Sequence, residues 1–144
     1  MQMRKLVFPI MILILASSGL SACSAKGTSD LSMLGMEHLP PEVQSAPVVV
    51  QQAYQFAAAN PEVMQAIPCY CGCGSIGHTS NYSCYVSVQN ADGSLKFDNH
   101  ALGCSICVDI TQDAMRLTRQ GKNPLDIKAY VDDTYGKYGT SNIP

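Results

Sequence analysis

The residues best equipped for chemistry in this chain are sulfurs. Six cysteines lie between positions 69 and 107: Cys69, Cys71, Cys73, Cys84, Cys104 and Cys107. The first three occupy alternate positions in "PCYCGCG", Pro68 to Gly74. In an extended chain a period of two puts all three thiols on one side, and Gly72 and Gly74 let the backbone fold around whatever those thiols hold. Pairing as disulfides among residues this close would be strained. In "DNHALGCSIC", His100, Cys104 and Cys107 stand at i, i+4 and i+7. On a helix starting near Asn99 that spacing stacks one imidazole and two thiols on a single face. The amino end of a helix also favours thiolate over thiol, which would activate Cys104. A loop half-site facing a helix half-site is a way to enclose a metal.

Thiolates with one or two imidazoles suit soft or borderline ions: Cu(I), Zn(II) or an iron–sulfur cluster. A zinc site takes four ligands, commonly two cysteine pairs with two to four residues between members. Cys104 and Cys107 fit that spacing; the C-x-C-x-C run does not. Cu(I) accepts two or three thiolates and shares them between ions, so closely spaced cysteines serve it better. Six thiols plus His78 and His100 exceed what one zinc needs, and this favours a multinuclear site with Cu(I) first and Zn(II) second. Cys84 is the natural further thiol, or else a small buried hydrophobe. Asp98 reads as a helix cap, because hard oxygen suits a thiolate site poorly. His38 lies outside the constellation.

Two other chemistries stay open. Cys104-Ser-Ile-Cys107 at a helix start is the arrangement of a thiol–disulfide oxidoreductase, although no βαβ pattern precedes it. Six cysteines in a short exported domain also form a disulfide framework in many proteins, which would make this a stapled interaction domain. No nucleophile–base pair, phosphate loop or dinucleotide fingerprint is evident, so the expectation is a binding module and not an enzyme.

The elements that must position these groups are mostly helical. Ser45 to Ala59 reads as a helix capped by Ser45, with Pro47 in its first turn and Ala46, Val50, Ala53, Tyr54 and Ala57 on one face. Asn60-Pro61 restarts a short helix over Glu62 to Ile67, which Pro68 stops. Cys69 to Tyr82 is an ordered loop. "YVSV" and "LKF", joined through Asp92-Gly93, can pair as one hairpin. A longer helix is expected from about His100 to Gln120, with Ile106, Ile110, Ala114 and Leu117 inward and Gly121 as its stop. The last helix opens at Asn123-Pro124 and carries Leu125, Ile127, Tyr130, Val131 and Tyr135. The fold class is therefore mainly α: about four helices around a Cys-rich loop, with room for one short hairpin.

Residues 1–22 read as an export signal. Arg4 and Lys5 precede "LVFPIMILILA", an apolar run of h-region length and too short to span a bilayer. "LSAC", Leu20 to Cys23, resembles the bacterial lipobox, whose cysteine receives a diacylglycerol before cleavage. Residues 23–44, from the lipidated Cys23, are rich in Gly, Ser and Pro and read as a flexible tether; residues 45–144 are the Cys-rich domain. Cleavage removes two basic side chains and no acid, leaving seven against eleven, a formal charge of −4. That balance and the lack of a basic patch argue against nucleic acid and leave membrane attachment to the acyl chains. The expected location is the extracytoplasmic face of the cell membrane, where the module would meet metal ions and a membrane metalloenzyme or transporter.

"PCYCGC" resembles the signature of the PCYCGC-motif bacterial lipoproteins. The resemblance runs through "YQFAAANPEVMQAIPCYCGCG", "HTSNYSCYV" and "DNHALGCSICVDITQDAMRL", roughly Val48 to Tyr138. It implies an exported, lipid-anchored domain and carries no implied activity, so the metal reading rests on the ligand argument.

Overall fold

The computed structural model describes residues 30–143. The leader and Cys23 lie outside the described residues. Five α-helices and one hairpin make up the regular structure: α1 (Pro41–Gln44), α2 (Val48–Ala59), α3 (Pro61–Gln65), β1 (Val86–Gln89), β2 (Leu95–Phe97), α4 (Ser105–Arg119) and α5 (Pro124–Tyr135). The domain is mainly α, as the periodicity predicts. No described helix is long and apolar enough to cross a membrane.

The core forms where α4 lies between α2 and α5. From α2 come Tyr54, Phe56 and Ala57; from α4, Ile110, Ala114 and Leu117; from α5, Ile127 and Val131, all buried. The 3.6-residue period aligns these side chains on the inward stripes. The end of α4 follows from Gly121, whose φ of 75° closes a Schellman motif: Lys122 N–H donates to the Leu117 carbonyl at 3.1 Å and Gly121 N–H to Thr118 at 2.8 Å. Asn123 caps α5 by accepting from Asp126 N–H at 2.9 Å. Leu125 and Tyr130, on the other face of α5, stay exposed. The hairpin pairs antiparallel with a bulge between Val86 and Val88. It is anchored because Phe97 and Tyr85 both pack on Tyr54.

Three local expectations are revised. Ser45 does not cap α2; it closes α1, with its hydroxyl donating to the Pro41 carbonyl at 2.9 Å, and Pro47 precedes α2. The stretch from Leu31 to Gln44 is not free tether. Leu39 and Val43 are buried in the core, and Leu34 exchanges bonds with Gln55, N–H to carbonyl at 3.0 Å and Gln55 Nε2 to the Leu34 carbonyl at 2.8 Å. Apolar residues at 31, 34, 36, 39 and 43 supply the burial, so the domain begins before Ser45. The third revision concerns the start of α4. His100–Leu102 form a separate 3-10 turn, and α4 begins at Ser105 with Cys104 as its N-cap residue.

Candidate metal centre

Between α3 and β1 the chain has almost no regular structure, only two 3-10 turns, Cys73–Ile76 and Tyr82–Cys84. The cysteine run is not extended. Same-side neighbours on a strand would be roughly 6.6 Å apart along the chain, but the Cys69 and Cys71 sulfurs are 3.4 Å apart. The curl is made at Gly72, whose φ of 85° is a left-handed value that glycine adopts without steric cost. Gly74 lies close to the carboxyl-terminal segment: a Cβ there would make a tight 3.3 Å contact with Asn142 Cβ.

Opposite this loop stand the His100 turn and the first turn of α4. His100 and Cys104 are no longer on one helix with Cys107, yet the short turn and Gly103 return them to the same place. All six thiols are free. Cys107 Sγ lies 3.1 Å from Cys104, 3.3 Å from Cys69 and 3.6 Å from Cys71. His100 Nε2 is 3.5 Å from Cys71. On the far side, Cys84 lies 3.7 Å from Cys73 and 3.4 Å from His78 Nδ1. The structure thus brings together all eight residues singled out by spacing.

Their donor atoms form four sets, each with all members within 4.8 Å of one another: Cys71, His100, Cys104 and Cys107; Cys73, His78, Cys84 and His100; Cys69, Cys71 and Cys73; and Cys69, Cys84 and Cys107. For metal–sulfur bonds of about 2.3 Å, sulfurs on one ion lie about 3.8 to 4.0 Å apart. The thiols are at that spacing or slightly inside it. These sets are compatible with holding a metal ion. Cys69, Cys73, Cys84 and Cys107 are buried, whereas Cys71 and Cys104 are half-buried and form the open edge. Cys104 also lines a shallow groove of ≈320 Å³ with Val49, Val50, Leu102 and Val108.

Crowding sets the electrostatics. Cys69 is pulled down to about 2, chiefly because the Cys107 and Cys84 thiols donate to its sulfur. That charge acts on its neighbours. Cys107 is raised, first by its bond to Cys69. Cys71 and Cys73 are raised by burial and then by the Cys69 charge. Cys84 also rises, its contact with Cys107 being outweighed by Cys69 and burial. One thiolate is solvated by S–H groups; several together need cations.

Three supports surround the thiols, and of these only the Asp98 cap carries a local signal in the sequence. Asn142, near the carboxyl end, accepts from Cys69 N–H at 2.7 Å and donates to the His78 carbonyl at 3.2 Å. Its own N–H reaches the Cys69 carbonyl at 3.2 Å, so it clamps both ends of the loop from 73 residues away. The chain reaches it through Gly139, where any Cβ would fall 2.7 Å from the Tyr70 carbonyl oxygen. Behind Cys107, buried Thr111 binds Asn81 Nδ2 at 2.9 Å and the Tyr85 hydroxyl at 2.7 Å, and Tyr85 donates to the Cys107 carbonyl at 2.9 Å. Asp98 caps the His100 turn, accepting from His100 N–H at 2.8 Å, and its other oxygen lies 3.7 Å from His78 Nε2. Asp98 thus lies on the Nε2 side of the His78 ring, while Nδ1 faces Cys84 at 3.4 Å.

A family model described as "protein of unknown function with PCYCGC motif" matches residues 12–142. The chain belongs to this PCYCGC family. No curated protein and no solved structure matches it. The PCYCGC match ends at Asn142 and so takes in the clamp along with all eight candidate ligands.

Proposed function

We propose that this PCYCGC protein is an exported lipoprotein, anchored through Cys23 at the extracytoplasmic face, whose thiolate–imidazole centre captures, buffers or delivers a soft metal ion. The observation that carries this is the convergence of six free thiols and two imidazoles at 3.1–3.7 Å contacts. Sulfurs are seldom gathered so closely without a shared task, and soft thiolates select Cu(I), Zn(II) or iron–sulfur clusters. Cys71, His100, Cys104 and Cys107 alone make a Cys3His set that suits tetrahedral Zn(II). Three further thiols and His78 stand beside it, and that excess favours Cu(I). The role is binding and hand-over, with a membrane metalloenzyme or transporter as the partner that an anchored site at the membrane face would serve.

The test is the metal and thiol content of the full chain, purified anaerobically in detergent. Bound copper with all six domain thiols reduced, and ultraviolet thiolate-to-metal absorption lost on chelation, is the expected result. A metal-free protein with three disulfides would overturn the reading. Anchoring is tested separately: Cys23→Ala should abolish incorporation of labelled fatty acid and release the protein from membranes.

One observation favours a second reading, thiol–disulfide exchange. Cys104 is half-exposed at the amino end of α4 with Cys107 3.1 Å away. In that case Cys104→Ser or Cys107→Ser abolishes disulfide reduction in an exchange assay, while Cys71→Ser leaves it intact.

A further inference from the structure

The four donor sets share their members in a regular way. The two cysteine-only sets share Cys69. The Cys104-containing set shares Cys71 with one of them and Cys107 with the other. The His78-containing set shares Cys73 and Cys84 with the same two, and it shares His100 with the Cys104 set. Every pair of sets therefore has one ligand in common. Four points joined pairwise by six links describe a tetrahedron, and a shared thiolate is a link that sulfur can supply, since its remaining lone pairs let it bind two soft ions at once.

We propose that the centre holds four Cu(I) ions as one thiolate-bridged cluster, one ion per set, with Cys69, Cys71, Cys73, Cys84 and Cys107 each bridging two ions. This rests on the soft-metal reading above and deepens it by fixing nuclearity and ligand roles. The sixth link falls on His100, whose ring nitrogen has one lone pair and cannot bridge. The structure compensates at both ends of that link. Cys104 belongs only to one of the two sets concerned and His78 only to the other. Each position then has three donors, the coordination Cu(I) favours among thiolates: Cys71, Cys104 and Cys107; Cys73, Cys84 and His78; Cys69, Cys71 and Cys73; Cys69, Cys84 and Cys107. His100 remains as a fourth donor that either of the first two ions can use.

Binding involves no change of oxidation state. Each of the six thiols gives up its one proton to solvent as its first Cu–S bond forms, and a bridging sulfur makes its second bond from a remaining lone pair as acetonitrile leaves the copper; six thiolates against four Cu(I) leave two negative charges in excess. Trigonal copper would space its sulfurs about 4.0 Å apart at a bond length of about 2.3 Å, so the contacts of 3.1–3.7 Å open by several tenths of an ångström as the ions enter. Bridging also predicts cooperativity. An ion placed on Cys69, Cys84 and Cys107 fixes one thiolate that each of the three other positions needs, and the last link, split between Cys104 and His78, is the weakest. The ion held by half-buried Cys71 and Cys104 is then the one exposed for exchange.

The experiment titrates the reduced full chain in detergent with Cu(I), supplied as its acetonitrile complex without oxygen, and follows it by native mass spectrometry and by the luminescence characteristic of bridged Cu(I)–thiolate clusters. The expected result is a four-copper species that dominates well before four equivalents, with species of one to three ions sparse and luminescence growing in step. Saturation at one, two or three ions, or independent filling without luminescence, overturns the cluster while leaving the soft-metal function standing. No uptake at all overturns both. Cys104→Ser removes a terminal ligand on the open edge; it should still reach four ions but hold the last at least tenfold more weakly. Cys69→Ser removes a bridge and should saturate below four. A Cys69→Ser protein that fills to four, or a Cys104→Ser protein that stops at two or fewer, refutes the assignment of roles.

Discussion

From Pro68 to Cys84 the chain has two short turns and otherwise no repeating backbone pattern, and it buries three thiols beside Tyr70, Tyr82 and Asn81. From Ser105 to Tyr135 it forms two helices whose interior is hydrocarbon, each with its own start and stop signals. Both regions contribute buried side chains, and Cys107 joins them: it belongs to two donor sets with the loop thiols while its helix continues into the core. Burial of hydrocarbon needs nothing from outside. Burial of thiols and irregular backbone gains little per residue against the entropy of ordering it, roughly 1–2 kcal/mol per residue. The helices therefore form the scaffold, while the loop is tied down by Asn142 and Asp98 and, on the proposed function, by the ion the thiols would hold.

The largest consequence follows on adding the ion. Ligand at a thousand times its dissociation constant stabilises the folded state by about 4.1 kcal/mol, and each kcal/mol moves the midpoint of a small domain by about 4–8 °C. Cu(I) should raise the thermal midpoint by roughly 15–30 °C on those figures. The gain in amide protection should be concentrated between residues 69 and 84, as read by hydrogen exchange. An even gain across α5 would erase the contrast between the regions. Next in size is a change in the scaffold alone. Ile127 on α5 is fully buried, and Ile127→Ala should cost about 2–5 kcal/mol in denaturant unfolding while the copper count stays the same. A changed count would mean that scaffold packing sets the site geometry.

How much of this contrast the sequence carried depends on how local the signal was. The Asn-Pro start of α5, the Gly121 stop of α4 and the Asp92-Gly93 hairpin turn are short-range devices, and all were legible. Cys69 to Cys107 were legible as a constellation because the C-x-C-x-C run and the His100, Cys104, Cys107 spacing each gather donors locally. The start of α4 was misplaced because His100, Cys104 and Cys107 match a helical face, while Gly103 and the Asp98 cap make a separate turn that reaches the same place. The packing of Leu39 and Val43 could not be read, because Gly, Ser and Pro around them dominate the local composition. Asn142 was invisible for a different reason: its partners are 64 to 73 residues away, and nothing in "TSNIP" marks one asparagine as a clamp.

That clamp gives the next, smaller test. Asn142→Ala removes an acceptor for Cys69 N–H and donors to the His78 carbonyl and Cys73 sulfur. The loss should be about 1 kcal/mol, falling on the loop. Release of Cu(I) to a competing chelator should speed up severalfold, whereas unfolding of the helices in the metal-free protein should change little. If the variant instead lowers helix stability and leaves release untouched, the carboxyl-terminal strap serves the scaffold and not the site.

The smallest effect tests the seam. Tyr70, between Cys69 and Cys71, donates its hydroxyl across to Asp132 on α5 at 2.6 Å, and Lys128 holds the other carboxylate oxygen at 2.7 Å. Burial alone would raise the Asp132 pKa, but Lys128 and Tyr70 together outweigh it and hold the carboxyl below its ordinary value. Asp132 consequently stays ionised in the folded chain at acidities that protonate it in the unfolded one. Its contribution is complete above the unfolded value near 3.9 and disappears as pH falls through the lower folded value. The pair is partly exposed, so the contribution should not exceed about 0.5 kcal/mol. Asp132→Asn keeps an acceptor for Tyr70 but discards the charge. The variant and parent, both metal-free and reduced, should differ slightly at neutral pH and converge as pH falls through the lowered folded value of Asp132. Copper binding near neutral pH should be the same in both, because the charge supports α5 and touches no thiol. A weaker copper site in Asp132→Asn would show that the loop is held through Tyr70 as firmly as through Asn142, and the two regions would then be one mechanical unit.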